Sequence, residues 1–110
     1  MQLQINGVAV PVNIRCAFSW AARAAGLLFD RDLPTTMALW LRPCASVHTI
    51  GMAYPIDVVF LDRDGIVRKV ATNLKPLRFA AASRAHSVME FRGGEAGRLA
   101  IRVGDRLNTA

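Results

Sequence analysis

Ile56-Asp57-Val58-Val59-Phe60-Leu61-Asp62-Arg63-Asp64-Gly65-Ile66-Val67-Arg68-Lys69-Val70 sets two apolar runs on either side of an Asp-Gly turn. Branched and aromatic side chains favour a pleated, packed strand. Asp-Gly supplies the backbone freedom that a tight hairpin turn requires. Ile56 to Asp62 is therefore expected to be the core strand, with Ile66, Val67 and Val70 on its antiparallel return.

The same logic recurs at the N-terminus. Leu3 and Ile5 alternate with Gln2 and Gln4, Asn6-Gly7 follows, and Val8, Val10 and Val12 come next. Asn-Gly suits both positive-φ positions of a type I′ turn, so residues 2–12 are expected to form a hairpin. Pro11 has no N–H to donate, which points its strand toward a sheet edge. Ala17 to Leu28 carries Phe18, Ala21, Ala22, Ala25 and Leu28 at helical spacing and is expected to be a short amphipathic helix. Met37 to Leu41 has strand character, Pro43 to Tyr54 reads as irregular, and Asn73 to Pro76 breaks the preceding pattern. Ser87 to Phe91 reads as a strand, Glu95 to Ala100 as a short helix after Gly93-Gly94, and Val103 to Leu107 as a turn with a short strand.

These six or seven strands, joined mostly as hairpins, predict an α+β fold. Its expected form is a small, predominantly antiparallel sheet curled into a barrel-like core, with one or two short helices packed on it. At 110 residues the chain is expected to form a single domain over 1–110. A composition of 53% apolar and 20% charged residues excludes a disordered or low-complexity chain. Cys16 and Cys44 are too few for a disulfide framework. No basic-then-apolar leader opens the chain, and no stretch reaches about 18 uninterrupted apolar residues, so a cytoplasmic protein with reduced thiols and no membrane partner is expected.

The segment from Arg42 to Asp57 gathers Cys44, Ser46, His48, Thr49, Met52, Tyr54 and Asp57 within a short span. Reactive side chains on a loop held by a rigid sheet are a common site geometry. Leu39-Trp40-Leu41-Arg42-Pro43-Cys44, Ser46-Val47-His48-Thr49, Gly51-Met52 and Pro55-Ile56-Asp57-Val58-Val59-Phe60-Leu61-Asp62 follow one another here. Asp64-Gly65, Asn73-Leu74-Lys75-Pro76, Ser87-Val88-Met89-Glu90 and Gly104-Asp105-Arg106-Leu107 continue the series. In this order the motifs resemble the bacterial and archaeal family of uncharacterised proteins known as domain of unknown function 192, over about residues 20–108. The resemblance implies a small β-rich α+β domain and no particular activity. The chain departs from the family pattern at Ile50 and Ala53, and Cys16 matches none of its motifs.

Several chemistries are open to this loop. It could form a ligand pocket in which Arg42, Ser46, His48, Thr49 and Asp57 supply polar contacts and Met52 and Tyr54 apolar walls. Cys44, His48 and Met52 are soft-metal ligands at steps of four, although Pro43, Gly51 and Pro55 argue against the helix that would align them. Cys44 and His48 could form a nucleophilic pair oriented by Asp57, which requires direct contact. The loop could equally be a surface for a protein partner. Against these stands a purely architectural role, with Cys44 and Met52 filling the core, His48 holding the loop, and Asp57 capping a turn through backbone N–H groups.

The net charge of +6 is unevenly spread. Residues 62–84 hold Arg63, Arg68, Lys69, Lys75, Arg78 and Arg84 against Asp62 and Asp64. Phe79 is the lone aromatic in that segment and no nucleic-acid motif accompanies it, so weak nonspecific nucleic-acid binding is the lesser alternative. Gly93-Gly94-Glu95 lacks the spacing of a phosphate loop, His86 reads as a surface or strand-end residue, and no cofactor is expected. The expected function is a non-enzymatic module that binds a small anionic ligand or a protein partner through the 42–57 loop, with Lys75 and Arg78 nearby. A Cys44/His48 enzyme or metal site is the alternative.

Overall fold

A computed structural model describes residues 1–17, 33–49 and 54–109. Its elements are β1 (Gln2–Ile5), β2 (Val8–Ala17), β3 (Met37–Leu41), β4 (Ser46–His48), β5 (Ile56–Leu61), β6 (Val67–Leu74), β7 (Phe79–Ala81), β8 (Ser87–Arg92), α1 (Glu95–Arg98) and β9 (Leu107–Thr109). Seven strands form one sheet in the order β6-β5-β8-β3-β2-β1-β9, and β4 pairs with β7 in a separate two-stranded sheet. The β2–β3 pairing is parallel, while every other pairing is antiparallel. The structure is thus mostly β, with one short helix among the described residues.

The sheet is not a closed barrel, but its two edge strands approach each other. Ile66 bridges Arg106, Leu107 N–H donates to Gly65 O at 2.9 Å, and Val67 N–H donates to Asp105 O at 2.8 Å. Gly65 makes this approach possible: it has φ +80°, and a Cβ there would lie 2.6 Å from Leu107 O. The curl has a packing consequence. Leu3, Ile14, Ala38, Val59, Val67, Met89 and Leu107, together representing all seven strands, join a single buried cluster with Ala96 of α1. A second cluster lies on the opposite face, where Val47 and Ala80 of the small sheet cover Leu39, Leu41, Ile56, Val58, Phe60 and Val88.

This arrangement explains the apolar run over β5. Ile56, Val58 and Phe60 face one cluster while Val59 and Leu61 face the other, so every residue of the strand is buried. A strand covered on both faces loses the alternation of a half-exposed one. The N-terminal hairpin forms as expected, with Asn6 at φ 51° and Gly7 at φ 81°.

Four expectations require correction. Pro11 does not mark an edge, because β2 lies between β3 and β1. The pairing slips between Gln2/Asn13 and Gln4/Ala9, so Pro11 sits in a bulge, and β3 pairs only from Asn13 onward. Its missing donor therefore interrupts no ladder bond. Ala17 ends β2 rather than opening a helix, and the rest of the expected helix lies outside the described residues. The segment expected to be irregular contains β4, which pairs Ser46, Val47 and His48 with Ala81, Ala80 and Phe79, respectively. The pattern break at Asn73 is a bulge within β6, not its end.

Asp57 explains that bulge. Leu74 pairs with Ile56 and Ala71 with Val58, so two residues of β6 stand opposite Asp57 alone. Asn73 N–H leaves the ladder and donates to Asp57 Oδ1 at 2.8 Å. Gly94 and Ala96 N–H groups, at the start of α1, donate to Oδ2 at 3.0 and 2.8 Å. The carboxyl group is fully buried and all three contacts are to backbone donors. Removing it leaves three backbone donors without their acceptor. Asp57→Ala should lower the unfolding free energy by about 3–5 kcal/mol, with Asp57→Asn recovering part of the loss. Urea unfolding of the three proteins tests this; a loss below about 1 kcal/mol for the alanine variant would mean that these bonds do not hold the fold.

Candidate functional site

The described positions singled out between Arg42 and Asp57 are spread over both faces of the sheet. Asp57 belongs to the sheet face carrying the seven-strand cluster and its oxygens are committed to backbone N–H groups, whereas Cys44 packs against the other cluster. A Cys44–His48–Asp57 arrangement is therefore not assembled. Cys44 Sγ donates to Ser46 O at 3.0 Å. Thr49 is fully buried; its Oγ1 donates to Lys75 O at 2.6 Å and accepts from Arg78 N–H at 2.8 Å, so it holds the 75–78 loop in place. Tyr54 accepts a bond from Leu33 N–H at 2.8 Å, and the Arg92 guanidinium lies 5.5 Å from its ring centre. Ser46 is exposed on β4, His48 pairs opposite Phe79, and Met52 lies outside the described residues. Among the described residues no three His, Cys, Asp or Glu side chains gather to hold a metal. Cys16 and Cys44 form no disulfide and lie on opposite cores, and burial pushes the Cys16 thiol pKa up, against the pull of the N-terminus and Arg42.

Convergence occurs elsewhere, at the β5–β6 turn. Asp62 shapes this turn: Oδ1 accepts from Asp64 N–H at 2.9 Å and Ile66 N–H at 3.0 Å, while Oδ2 accepts from Arg68 Nε at 3.0 Å and Nη2 at 2.9 Å. Two adjoining recesses flank it. The outer one, about 370 Å³, is lined by Arg63, Arg68, Arg84 and His86 together with the two turn aspartates. The inner one, about 160 Å³, reaches Trp40, Arg42, Ser87 and Arg106 and shares Arg63 and His86 with the first. Its walls come from β3, β8 and β9, where the curled sheet opens between its edges.

The side chains that line the recesses are positioned by backbone that the fold controls. Arg63 is presented by the Asp62 turn. Arg84 occupies a left-handed conformation at φ 64°, unusual for a residue with a side chain. His86 is anchored through its main chain, donating to Leu61 O at 2.7 Å and accepting from Cys44 N–H at 2.8 Å. Arg106 N–H donates to Asn6 Oδ1 at 2.9 Å, and Asn6 Nδ2 donates to Asp105 Oδ1 at 3.0 Å. The Arg42 guanidinium lies 5.3 Å from the Trp40 ring centre.

Five guanidinium groups thus meet two carboxylates around the cleft. One of those carboxylates is already spent on Arg68 and two N–H groups, while Arg63 and Arg84 have no ion-pair partner among the described residues. The sequence reading located the basic excess in residues 62–84 but associated Lys75 and Arg78 with the site. Both are exposed in the loop after the far end of β6, about 23 Å of strand away. His86 was passed over, and Arg84 and Arg106 carried no local motif. Ser83-Arg84 forms a turn in the structure.

The comparisons with known proteins concern the whole chain. Residues 1–109 match the model of the family DUF192, described as Uncharacterized ACR. The UPF0127 protein PF1050 of Pyrococcus furiosus is 35% identical over 93% of this chain and 90% of its own. UPF0127 protein PH1112 of Pyrococcus horikoshii is 38% identical over 71% of this chain and 70% of its own. A Novosphingobium aromaticivorans protein of unknown function superposes with a TM-score of 0.85 at 25% identity, over 98% of this chain and 84% of that one. A Sinorhizobium meliloti protein described as a candidate transcription regulator gives 0.84 at 20% identity, over 97% and 91%, a likeness of fold alone.

The site also carries a pH dependence. Burial works upward on the Asp62 carboxyl and is outweighed by the Ile66 and Asp64 N–H groups and the Arg68 guanidinium, so its pKa lies below the ordinary value. A depressed carboxyl pKa contributes stability that is present above the unfolded value and lost as pH falls through the folded one. Asp62→Asn should therefore be less stable than the unaltered protein near pH 7, with the difference shrinking below about pH 4. Urea midpoints measured across that range would show it; a difference that did not change with pH would assign the turn's stability to geometry instead of charge.

Proposed function

Because the chain belongs to the DUF192 family, which supplies a fold and an uncharacterized description, we propose its function from the site: it is a binding module for a small anionic ligand, held in the cleft at the β5–β6 turn. The observation that carries this reading is the surplus of guanidinium groups around a recess of ligand size. Arg63 and Arg84 both line the outer recess, and guanidinium groups suit phosphate or carboxylate oxygens. His86 borders both recesses and Ser87 offers a hydroxyl in the inner one. Openings at the mouths of curled sheets are frequent ligand sites.

This reading keeps the small anionic ligand expected from the sequence and moves its site. Among the described residues of the 42–57 loop, Arg42 alone lines the cleft, and neither Lys75 nor Arg78 does. A local cleft suits a compact anion better than a nucleic-acid track.

Thermal unfolding with inorganic pyrophosphate, phosphate and citrate, at matched ionic strength, tests the proposal. A ligand at a hundredfold excess over its Kd adds about 2.7 kcal/mol, which raises Tm by several degrees in a domain of this size. At least one of these anions should do so. Arg63→Ala with Arg84→Ala should abolish the response while changing the ligand-free stability by about 0.5 kcal/mol or less. Lys75→Ala with Arg78→Ala should retain it. The proposal fails if no anion stabilises the protein, or if the first pair of substitutions leaves the response intact.

A further inference from the structure

The loop between β6 and β7, Lys75-Pro76-Leu77-Arg78, together with Phe79 at the start of β7, is a second built feature, remote from the cleft. Leu77 is 71% exposed and Phe79 is 68% exposed, the two highest values among the large apolar side chains of the described residues. Scattered exposed apolar residues are ordinary on a protein surface. This pair is distinguished by how firmly it is held out. Leu77 adopts φ 63°, a left-handed conformation that costs a branched side chain energy. The fully buried Thr49 fixes the loop from beneath: Oγ1 donates to Lys75 O at 2.6 Å and accepts from Arg78 N–H at 2.8 Å. The main chain adds Thr49 N–H to Arg78 O at 2.9 Å and Leu77 N–H to Thr49 O at 3.3 Å. A loop fastened at four points has little freedom to fold its apolar tips back onto the protein.

We propose that this tip is an interfacial anchor that inserts Leu77 and Phe79 into an anionic lipid surface, with Lys75 and Arg78 at the headgroup level. Both cations are exposed beside the apolar pair. Leu and Phe bury well at the headgroup–acyl boundary, and adjacent cations are attracted by acidic lipids. A narrow tip suits this occupant better than a protein partner, because a stable protein interface needs about 1,000 Å² of buried surface and two side chains supply only a fraction of it. The association is peripheral: among the described residues no helix is long and apolar enough to cross a membrane. Composition alone gave no reason to expect a membrane partner, since two exposed side chains leave no mark on an average.

Co-sedimentation with vesicles tests the anchor. The protein should pellet with mixed phosphatidylcholine and phosphatidylglycerol vesicles and much less with phosphatidylcholine alone. Leu77→Ser with Phe79→Ser should weaken binding by at least about tenfold, and Lys75→Ala or Arg78→Ala by about fivefold each. Phe79→Trp keeps an apolar tip and reports insertion directly, through a blue shift of the added emission on mixed vesicles. That readout also serves if the double serine variant fails to fold. The proposal is overturned if the unaltered protein stays in solution, if a folded double serine variant binds undiminished, or if the added tryptophan shows no shift. It is likewise overturned if the tip substitutions weaken binding to a single-stranded oligonucleotide but not to vesicles, which would make Phe79 a base-stacking residue.

Discussion

The fold turns on a carboxyl group buried in the middle of a sheet. Asp57 occupies the core strand, where an acidic side chain is costly to bury unless its oxygens are satisfied. Satisfaction comes from three backbone N–H groups on two other elements. Asn73 N–H is free to contribute because β6 bulges opposite Asp57, and Gly94 and Ala96 contribute because they begin α1. One side chain thus joins the core strand, the edge strand and the helix. The short helix depends on this bond. Gly94 has no side chain with which to cap it, and four residues cannot sustain a helix alone. Close packing completes the joint: a Cβ on Gly93 would lie 2.7 Å from Asn73 Oδ1.

At the other end of β5 and β6, the Asp62 turn plays a related role toward function. Asp62 is satisfied by two N–H groups and Arg68, which fixes the turn and directs Arg63 outward. The turn also meets β9 through Gly65 and Leu107, so the curl of the sheet ends there. This brings Arg106, from the end of the chain, beside residues from β3 and the approach to β8. The cationic cleft is thus a product of closure: without the contact between the edge strands, its cations would belong to separate parts of the surface.

What could be read from the sequence follows this division. Both hairpins were legible because Asn6-Gly7 and Asp64-Gly65 encode their turns locally. The apolar run over β5 identified the strand buried on both faces. Strand order was not legible. β8 lies between β5 and β3, and β2 runs parallel to β3, and neither relation leaves a local mark. The role of Asp57 was half legible. An acid in an apolar run calls for donors, but those donors lie 16, 37 and 39 residues away along the chain. The cleft was the least legible feature. Counting charge along the chain groups Arg63 with Lys75 and Arg78, whereas folding groups it with Arg42, Arg84 and Arg106.

That regrouping changes how the positive charge acts. The basic segment 62–84 is one block in sequence, but β6 sets the turn that bears Arg63 and the loop that bears Lys75 and Arg78 about 23 Å apart. Charges at that separation are nearly independent at physiological ionic strength, where the screening length is about 8 Å. The two ends also differ in form. The cleft is concave and already uses some of its charge internally, as in the Arg68–Asp62 pair, a geometry suited to holding a compact ligand. The Lys75–Phe79 tip projects its charges and apolar groups together, a geometry suited to an extended surface. A binding event at one end therefore need not alter electrostatics at the other. The two regions are joined along the chain by β6, which is held midway by the bulge at Asn73 and the buried Asp57 beside it, and by β7, which runs from Phe79 toward Arg84.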